Sequence, residues 1–513
     1  MNNNKPKNNK FKTLIKTKIL TKTFGTSALA VVAAAALVGA LSYKYSNKNN
    51  FKPSFYNYQS YIDPNTKAKI NKNFNFKEFA EIQDFTKAIL TNKAAAGIGN
   101  DSQAVQLIRE GKLRKIDYAK MFGDPKFNDR NEVLKLLTDT VKNHLESYNK
   151  YLTKDKCINA DGSQATEDRH LIDYFAPYFS QDMVVAYNPA KVLNLKKDDP
   201  EYQNKINAHQ QAMQNHLINE IKNNKGEFRL IDILKTLKAN KYEHWEATNA
   251  VRDNMIYGSA YVYDVNKGFV DDHATGKGTS KDKPNWYKEH IDHFVELFNH
   301  GIGYSVRDTK HINFNGDGQF LLNNLINPDS KTCAGLIYNG DAVDAYFSED
   351  NYATVPQSTI RFLRPKVNLL LVDGLVISEN TSDYFTDLIY KTVHKSFLGG
   401  VEKDKWINGP KWNSTTEEWN NIEGYESFTT FDFVGYTPAW KSQYEFVKNN
   451  YFVDDKYPQY IASLYGINKE QTIFDVDNTT PKMKYEVKHF PIEPESKQTM
   501  AEIKVYYDTK LKS

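Results

Sequence analysis

Tyrosine and carboxylate side chains lie next to each other at the end of an apolar run in CAGLIYNGDAVDAYFSEDN, residues 333–351. A buried strand that ends in Asn-Gly-Asp places polar groups at the edge of a sheet. We therefore expect Tyr338 and Asp341 to lie at such an edge. The sequence then poses a chemical question, namely which group would meet a carboxylate beside a tyrosine there.

Motifs of common catalytic sites are absent from the sequence. It contains no GxSxG, P-loop or HExxH motif, and no pair of carboxylates stands out as an acid/base set. The pair in HIDHF (290–294) could ligate a metal but has i, i+3 spacing on a predicted surface helix. NFNGDGQ (313–319) lacks the later glutamate of a calcium loop, which favours a plain turn. We predict no enzyme, no metal site and no cofactor.

Composition restricts the class of protein. The chain has 513 residues, 40% hydrophobic and 25% charged, so it can bury a core as one large bilobal unit or as two to four domains. The net charge is only +4, and much of the positive charge lies in the first 22 residues, so nucleic-acid binding is not predicted. Cys157 and Cys333 form no CxxC motif and could be either a disulfide or two buried thiols.

The N-terminus has the order of an export signal. Residues 1–23 are rich in Lys and Asn, and residues 24–43, FGTSALAVVAAAALVGALSY, carry no charge. About 20 apolar residues can cross a bilayer, and the preceding lysines predict a cytoplasmic N-terminus. We predict a cytoplasmic tail (1–23), a transmembrane anchor or cleaved signal (24–43), a tether (44–54) and an extracellular main domain. LVGA (37–40) resembles a lipobox, but Ala40 occupies the cysteine position, which excludes lipid attachment there.

Predicted strands and helices alternate after the tether, which favours an α/β layer fold. Apolar runs predict strands in 54–62, in 94–101, at MVVAY (183–187) and in 358–378. Helical spacing predicts helices at 76–92, at 102–116 with Gly111 as the C-cap, at 129–152 and at the C-terminus.

Several segments, in the same order, resemble the extracytoplasmic spermidine/putrescine-binding proteins of ABC importers. The similar segments are FYNYQSYI (55–62), GNDSQAVQLIREGKLRKIDYAKM (99–121), YFAPYFSQDMVVAYNP (174–189), NAVRDNM (249–255), LIYNGDA (336–342), LLLVDGLVIS (369–378), GYTPAW (435–440) and the terminal EIKVYYDTKLK. The resemblance implies a type II periplasmic-binding-protein-like α/β fold with two hinged lobes and an interlobe cleft. We expect lobe 1 to comprise 55–186 plus 374–430, and lobe 2 to comprise 187–373 plus 431–513.

The resemblance also implies a ligand site, because a polyamine needs spaced carboxylates for its ammonium groups and aromatic faces for its methylenes. The residues at the family's site positions are Asp373, Asp253, Tyr338, Tyr61, Tyr436, Tyr58 and Ser102, with Asp341 and Asp101 able to restore charge nearby. Tyr338 and Tyr58 each replace a tryptophan, Ser102 stands where a tyrosine is common, and Asn249 or Ala250 covers the position of a second acid. Two further departures are Ser60 in place of a glutamate and Leu371 in place of a second tryptophan.

The resemblance therefore predicts a substrate-binding subunit that delivers a polyamine to an ABC permease driven by a cytoplasmic ATPase. Two alternatives stay open. The fold could bind another small cation such as thiamine, as the residues at 60 and 371 favour, or it could be a surface adhesin or scaffold that has lost ligand binding.

Overall fold

The computed structural model describes residues 51–223, 228–264, 268–269, 274–348, 352 and 354–512. Within these ranges no helix has both the length and the apolarity that a membrane span requires. The predicted cytoplasmic tail, the apolar run 24–43 and most of the tether lie outside the described residues.

Strands and helices alternate along most of the chain. The strands are β1 (Ser54–Tyr58), β2 (Asn75–Phe79), β3 (Ala96–Asn100), β4 (Ala176–Gln181), β5 (Met183–Tyr187), β6 (Trp245–Thr248), β7 (Tyr263–Asp264), β8 (Gly268–Phe269), β9 (Ile312–Asn315), β10 (Ala334–Tyr338), β11 (Arg361–Leu363), β12 (Val367–Leu369), β13 (Leu371–Ile377), β14 (Lys411–Asn413), β15 (Glu418–Asn420), β16 (Thr437–Pro438), β17 (Glu470–Phe474), β18 (Pro481–Glu486) and β19 (Lys488–Phe490). The α-helices are α1 (Pro64–Asn73), α2 (Ile82–Leu90), α3 (Asp101–Arg109), α4 (Tyr118–Phe122), α5 (Arg130–Lys135), α6 (Asp139–Ser147), α7 (Pro189–Val192), α8 (Tyr202–Asn223), α9 (Leu230–Ala239), α10 (Val251–Ala260), α11 (Trp286–Ile302), α12 (Gly318–Ile326), α13 (Asn339–Tyr346), α14 (Asp383–His394), α15 (Ser427–Val434), α16 (Lys441–Asn450), α17 (Pro458–Tyr465) and α18 (Lys497–Lys512).

Two mixed sheets form the framework. The first has the strand order β16-β4-β13-β3-β1-β2, and the second has the order β11-β5-β10-β6-β9. Helices cover the sheets, and the buried apolar side chains form two large clusters. The predicted α/β class is therefore confirmed.

The chain crosses between the sheets at two neighbouring points. Strand β4 of the first sheet and β5 of the second are separated only by Asp182. On the way back from β11 of the second sheet to β13 of the first, the chain passes through β12, which pairs with β19 in a separate two-stranded sheet and is separated from β13 only by Leu370. Asn368, fully buried, ties the crossings together, because its amide donates to Met183 O at 2.7 Å and its Oδ1 accepts from Met183 N at 3.1 Å. The expected lobe boundaries, including 186/187 and 373/374, remain predictions.

A buried ion pair lies at the first crossing. Asp182 is fully buried, and the Arg364 guanidinium lies 2.7 Å from its Oδ2 and donates to its Oδ1 at 3.0 Å. His489 Nε2 is 2.9 Å from the same Oδ2. These contacts join the segment between the sheets to β19 and to the segment after β11.

Two predicted helices were wrong in part, because backbone pairing competes with helical periodicity. The region 76–92 begins as the edge strand β2, in parallel register with β1, and becomes helical only at Ile82. The predicted helix 129–152 is interrupted after α5, where Thr138 N donates to Ala439 O and Lys441 N donates to Leu136 O. Thr138 then caps α6.

Most other local predictions were confirmed. MVVAY is β5 and stops before Asn188-Pro189, and the C-terminal segment forms α18. The helix predicted at 102–116 is shorter than expected, because α3 ends at Arg109 and Glu110 rather than Gly111 is its C-cap residue. Gly111 follows with φ of +63°, and a Cβ there would lie 2.6 Å from the Asn159 backbone, so both the backbone conformation and the close contact disfavour a side chain. Cys157 and Cys333 are buried free thiols in different apolar clusters.

Candidate functional site

The candidate ligand-binding residues lie at the ends of strands and the starts of helices. Tyr58 ends β1, Asp101 begins α3 directly after β3, and Tyr338 ends β10. Asp253 lies in the first turn of α10, which follows β6. Polar side chains at such positions converge where open α/β sheets present their ligand sites.

Asp373 is one of the buried carboxylates of this set. It lies on β13, is 2% exposed, and its Oδ2 accepts from the Tyr61 hydroxyl at 2.8 Å and from Gln181 Nε2. Gln181 also donates to the Tyr61 hydroxyl at 3.1 Å. Asp373 Oδ1 is buried and has no hydrogen-bond partner among the described residues. One oxygen of a buried acid is thus left available.

Asp253 repeats this pairing with a different tyrosine. It is 5% exposed, and its Oδ2 accepts from the Tyr338 hydroxyl at 2.8 Å. This contact joins the first turn of α10 to the end of β10. Tyr338 lies at the C-terminal end of β10, the central strand of the second sheet, and its hydroxyl meets a carboxylate from the neighbouring βα unit.

Asp341 forms the third such pair. It lies in the first turn of α13, and its Oδ1 accepts from the Tyr436 hydroxyl at 2.5 Å. Tyr436 follows α15, immediately before β16 of the first sheet. This hydrogen bond therefore joins the first-sheet side of the cleft to the α13 helix, which follows β10 of the second sheet.

The tyrosine rings beside these acids pack against one another. Tyr61 packs edge-on against Tyr58 with ring centroids 5.6 Å apart, and against Tyr436 with centroids 5.1 Å apart. A ring face can contact both an ammonium group and methylene carbons.

Burial makes all three carboxyls hard to ionise. Desolvation raises the pKa of Asp373 to about 8, and nearby Asp101 and Asp253 add to the rise while the bonds from Tyr61 and Gln181 oppose it. Desolvation likewise raises the pKa of Asp253 and that of Asp341 to about 7 each. None of the three forms an ion pair with a described basic residue. Buried carboxylates are normally paired with a positive charge, so three that lack such a partner among the described residues are unusual.

Asp101 and Ser102 are occupied by contacts within the protein. Asp101 is fully buried, and its Oδ2 lies 2.6 Å from His144 Nε2 and accepts from Val372 N at 2.9 Å. Its Oδ1 accepts from Ser102 N, and the Ser102 hydroxyl donates to Asn100 Oδ1 at 3.1 Å. These contacts anchor the start of α3 to β13 beside Asp373, while ligand contact by either residue remains a prediction.

Sequence reasoning missed Gln181 and His144. Gln181 ends β4 within a segment that the sequence analysis had singled out, so its position before the crossing was the available signal. His144 lies on α6 and had no such signal. At the two further departures, Ser60 lines a pocket with Tyr58, while Leu371 is buried in the second apolar cluster.

The free energy of unfolding of the ligand-free protein is expected to fall as the pH rises towards the raised pKa of Asp373. The pKa of Asp373 is about 3.8 when unfolded and about 8 when folded. Between these two pKa values the folded state binds more protons than the unfolded chain. The stabilisation that the Asp373 carboxyl provides is therefore complete below about pH 4 and lost above about pH 8. Urea denaturation at pH 5.5 and 8.5 should show that the free energy of unfolding falls less between these pH values in Asp373→Asn than in wild type. Equal falls would contradict this assignment.

Comparison with known proteins identifies the family. The profile of a family described as hypothetical lipoprotein (MG045 family) matches residues 28–513. The chain belongs to this family. The description names a lipoprotein, whereas the run LVGA (37–40) of this chain, which resembles a lipobox, has alanine at the cysteine position, and both Cys157 and Cys333 are buried. No curated protein matches the chain.

Solved structures similar to this MG045-family member are substrate-binding proteins of ABC transporters. A putative spermidine/putrescine ABC transporter protein of Listeria monocytogenes is 12% identical, with a TM-score of 0.47 and coverage of 90% of this chain and 98% of that one. PotD of Streptococcus pneumoniae is 12% identical, with a TM-score of 0.45 and coverage of 90% and 99%. The acarbose-binding GacH receptor of Streptomyces glaucescens is 10% identical, with a TM-score of 0.43 and coverage of 90% and 94%.

Proposed function

We propose that this protein is the extracytoplasmic substrate-binding subunit of an ABC importer and that it captures a polyamine, spermidine or putrescine, between its two sheets. The observation that carries the proposal is the set of three buried Asp–Tyr pairs without a basic partner among the described residues. An ammonium group offers the donors that Asp373 Oδ1 lacks, and the tyrosine faces accommodate the methylenes.

Delivery of the ligand requires partners. In this proposal the captured polyamine passes to a permease in the membrane, and a cytoplasmic ATPase drives its import. The apolar run 24–43 holds the protein at the membrane with the N-terminus in the cytoplasm and the main domain outside. Because position 40 is alanine, this attachment does not use a lipid on that residue.

A thiamine-like cation is the second candidate ligand. The observation that favours it is the chemistry at positions 60 and 371, where a serine lines the pocket and a leucine is buried, rather than a glutamate and a tryptophan. A single cationic ring would need fewer carboxylates than a linear polyamine. The covered, acidic character of the cleft argues against a scaffold without a ligand.

Calorimetric titration tests the proposal. The full-length chain in detergent, freed of copurified ligand by unfolding and refolding, is titrated with spermidine, putrescine and thiamine. We expect one-site binding of a polyamine. Heat with thiamine alone would favour the second candidate, and no heat with any of the three, from protein shown to be folded, would overturn the proposal.

A further inference from the structure

A small pocket lies beside β11 of the second sheet. Helix α8, strand β11 and the turn of the β17–β18 hairpin each contribute to it, through Gln210, Arg361 and Asn478. Its free volume of about 30 Å³ has room for about two or three water-sized groups, since one water needs about 10–15 Å³. None of the candidate ligand-binding residues of the cleft lines it. The pocket is therefore a separate feature, and its size suits a small ion.

Arg361 is a buried arginine that has no acidic partner among the described residues. It is 3% exposed, its guanidinium donates to Ser358 O, and the guanidinium carbon lies 5.9 Å from the Tyr460 ring centroid. Its Nε is buried and has no hydrogen-bond partner in the part of the chain that the structure describes. Arg364, on the same segment, is also buried but pairs with Asp182. Because an arginine keeps its positive charge in a protein and a buried charge is costly unless it is paired, Arg361 needs an anion.

Two buried amides add further donors to the same pocket. The Tyr187 hydroxyl donates to Gln210 Oε1 at 2.9 Å, which leaves Gln210 Nε2 buried with no hydrogen-bond partner among the described residues. Asn478 Nδ2 is likewise buried, and none of the described residues bonds to it. Asn478 lies in a hairpin turn with φ of +55°, where side chains usually face solvent, yet it is only 4% exposed. The buried polar atoms that lack partners on the residues lining this pocket are thus all N–H donors.

The walls of the pocket are fastened to each other by direct hydrogen bonds. Gln214 Nε2 donates to Phe474 O at 2.6 Å, and Asn207 Nδ2 donates to Asp477 Oδ1 at 2.6 Å. Both bonds join α8 to the β17–β18 hairpin. Asp477 is exposed and does not line the pocket, and no aspartate or glutamate is among its described lining residues. The donors are therefore held in place before an anion binds, which lowers the entropic cost of binding.

We propose that Arg361, Gln210 and Asn478 form a binding site for a small oxyanion, either inorganic phosphate or a small carboxylate. The guanidinium supplies the positive charge and a fork of donors that fits carboxylate and phosphate oxygens, and the two amides supply neutral donors. The bound anion joins three segments that are far apart in sequence, and it stabilises the packing of α8 and the β17–β18 hairpin against the second sheet. This site does not depend on the proposed function, because the cleft residues take no part in it.

Thermal unfolding of the full-length chain in detergent tests the site. The melting temperature is measured by scanning calorimetry as sodium phosphate or sodium acetate is added, with sodium chloride at matched ionic strength as the reference. We expect a saturable rise with phosphate or acetate, because an anion that binds only the folded state stabilises that state. Phosphate also stabilises proteins by its exclusion from their surface, and that contribution does not saturate. A wild-type response that does not saturate, or that chloride reproduces, would overturn the proposal.

Variants of the donors locate the anion. Arg361→Gln should weaken the apparent affinity for the anion at least tenfold, and Gln210→Leu and Asn478→Gly at least threefold each. Glycine tolerates the positive φ of position 478, so Asn478→Gly decides the question should Arg361→Gln fail to fold. Asn421→Gly is the matched control, because it changes an exposed asparagine with φ of +58° outside the pocket and should leave the affinity at the wild-type value. A saturable rise that Asn478→Gly and every folded Arg361 variant retain at wild-type affinity would contradict the site.

Discussion

Replacing Asp373 by asparagine is expected to weaken polyamine binding by about 30-fold to several thousand-fold. Removing one member of a buried, charged hydrogen-bonded pair costs about 2–5 kcal/mol, and each 1.4 kcal/mol is a factor of ten in affinity. Asp373 is 2% exposed and its Oδ1 is unpartnered among the described residues, so an ammonium group bound there is fully desolvated. Calorimetric titration with spermidine measures the loss.

Two further variants define what this loss means. Asp161→Asn removes an exposed acid from the loop 157–168 and should leave the affinity unchanged. Tyr61→Phe removes the hydroxyl that donates to Asp373 but keeps the ring, so we expect a smaller loss than in Asp373→Asn. An Asp373→Asn protein that is folded and binds spermidine as wild type does would show that the ligand binds elsewhere.

The second large effect concerns stability. Arg364→Ala is expected to lower the free energy of unfolding by about 3–5 kcal/mol, because it leaves the fully buried Asp182 without its charged partner. Arg364 also donates to Ser463 O at 3.0 Å, so its loss removes a second tie near the crossing between the sheets. Urea denaturation monitored by tyrosine and tryptophan fluorescence measures the change.

A matched control is available on the surface. Arg114 pairs with Asp383, whose side chain is 84% exposed, and Arg114→Ala should cost less than about 1 kcal/mol. If Arg364→Ala costs no more than Arg114→Ala, the buried pair does not stabilise the crossing. The double variant Asp182→Ala/Arg364→Ala should be less destabilised than the sum of the single variants, because neither charge is then left alone.

Hydrophobic patterns predicted the most buried strands of the two sheets but missed β4, β6, β9 and β16, and they gave β2 as part of a helix. MVVAY and LVDGLVI are buried throughout, and such runs are recognisable because most of their residues are apolar. The helix predicted at 129–152 was wrong in its middle, because Leu136 and Thr138 pair with backbone atoms about 300 positions away. The hydrophobic periodicity of a short segment cannot predict a contact between residues so far apart in the sequence.

The candidate site shows the same limit. Single residues such as Asp373 and Tyr61 could be named from motif resemblance, but they are 312 positions apart, and their hydrogen bond follows from the fold rather than from either motif. Asp101 was expected only to restore charge near the ligand, and no feature of the sequence indicated that Val372 N and His144 contact its Oδ2. The role of Gln181 depends on the crossing between the sheets, which has no local signature.

The most direct test of the account is a crystal structure of the protein with the amine that binds most tightly in calorimetry. The account predicts an ammonium nitrogen within hydrogen-bonding distance of Asp373 Oδ1, with the methylene chain against the tyrosine rings and both lobes in contact with the ligand. Density for the amine outside the cleft, or a cleft that stays empty while the protein is saturated in solution, would contradict it.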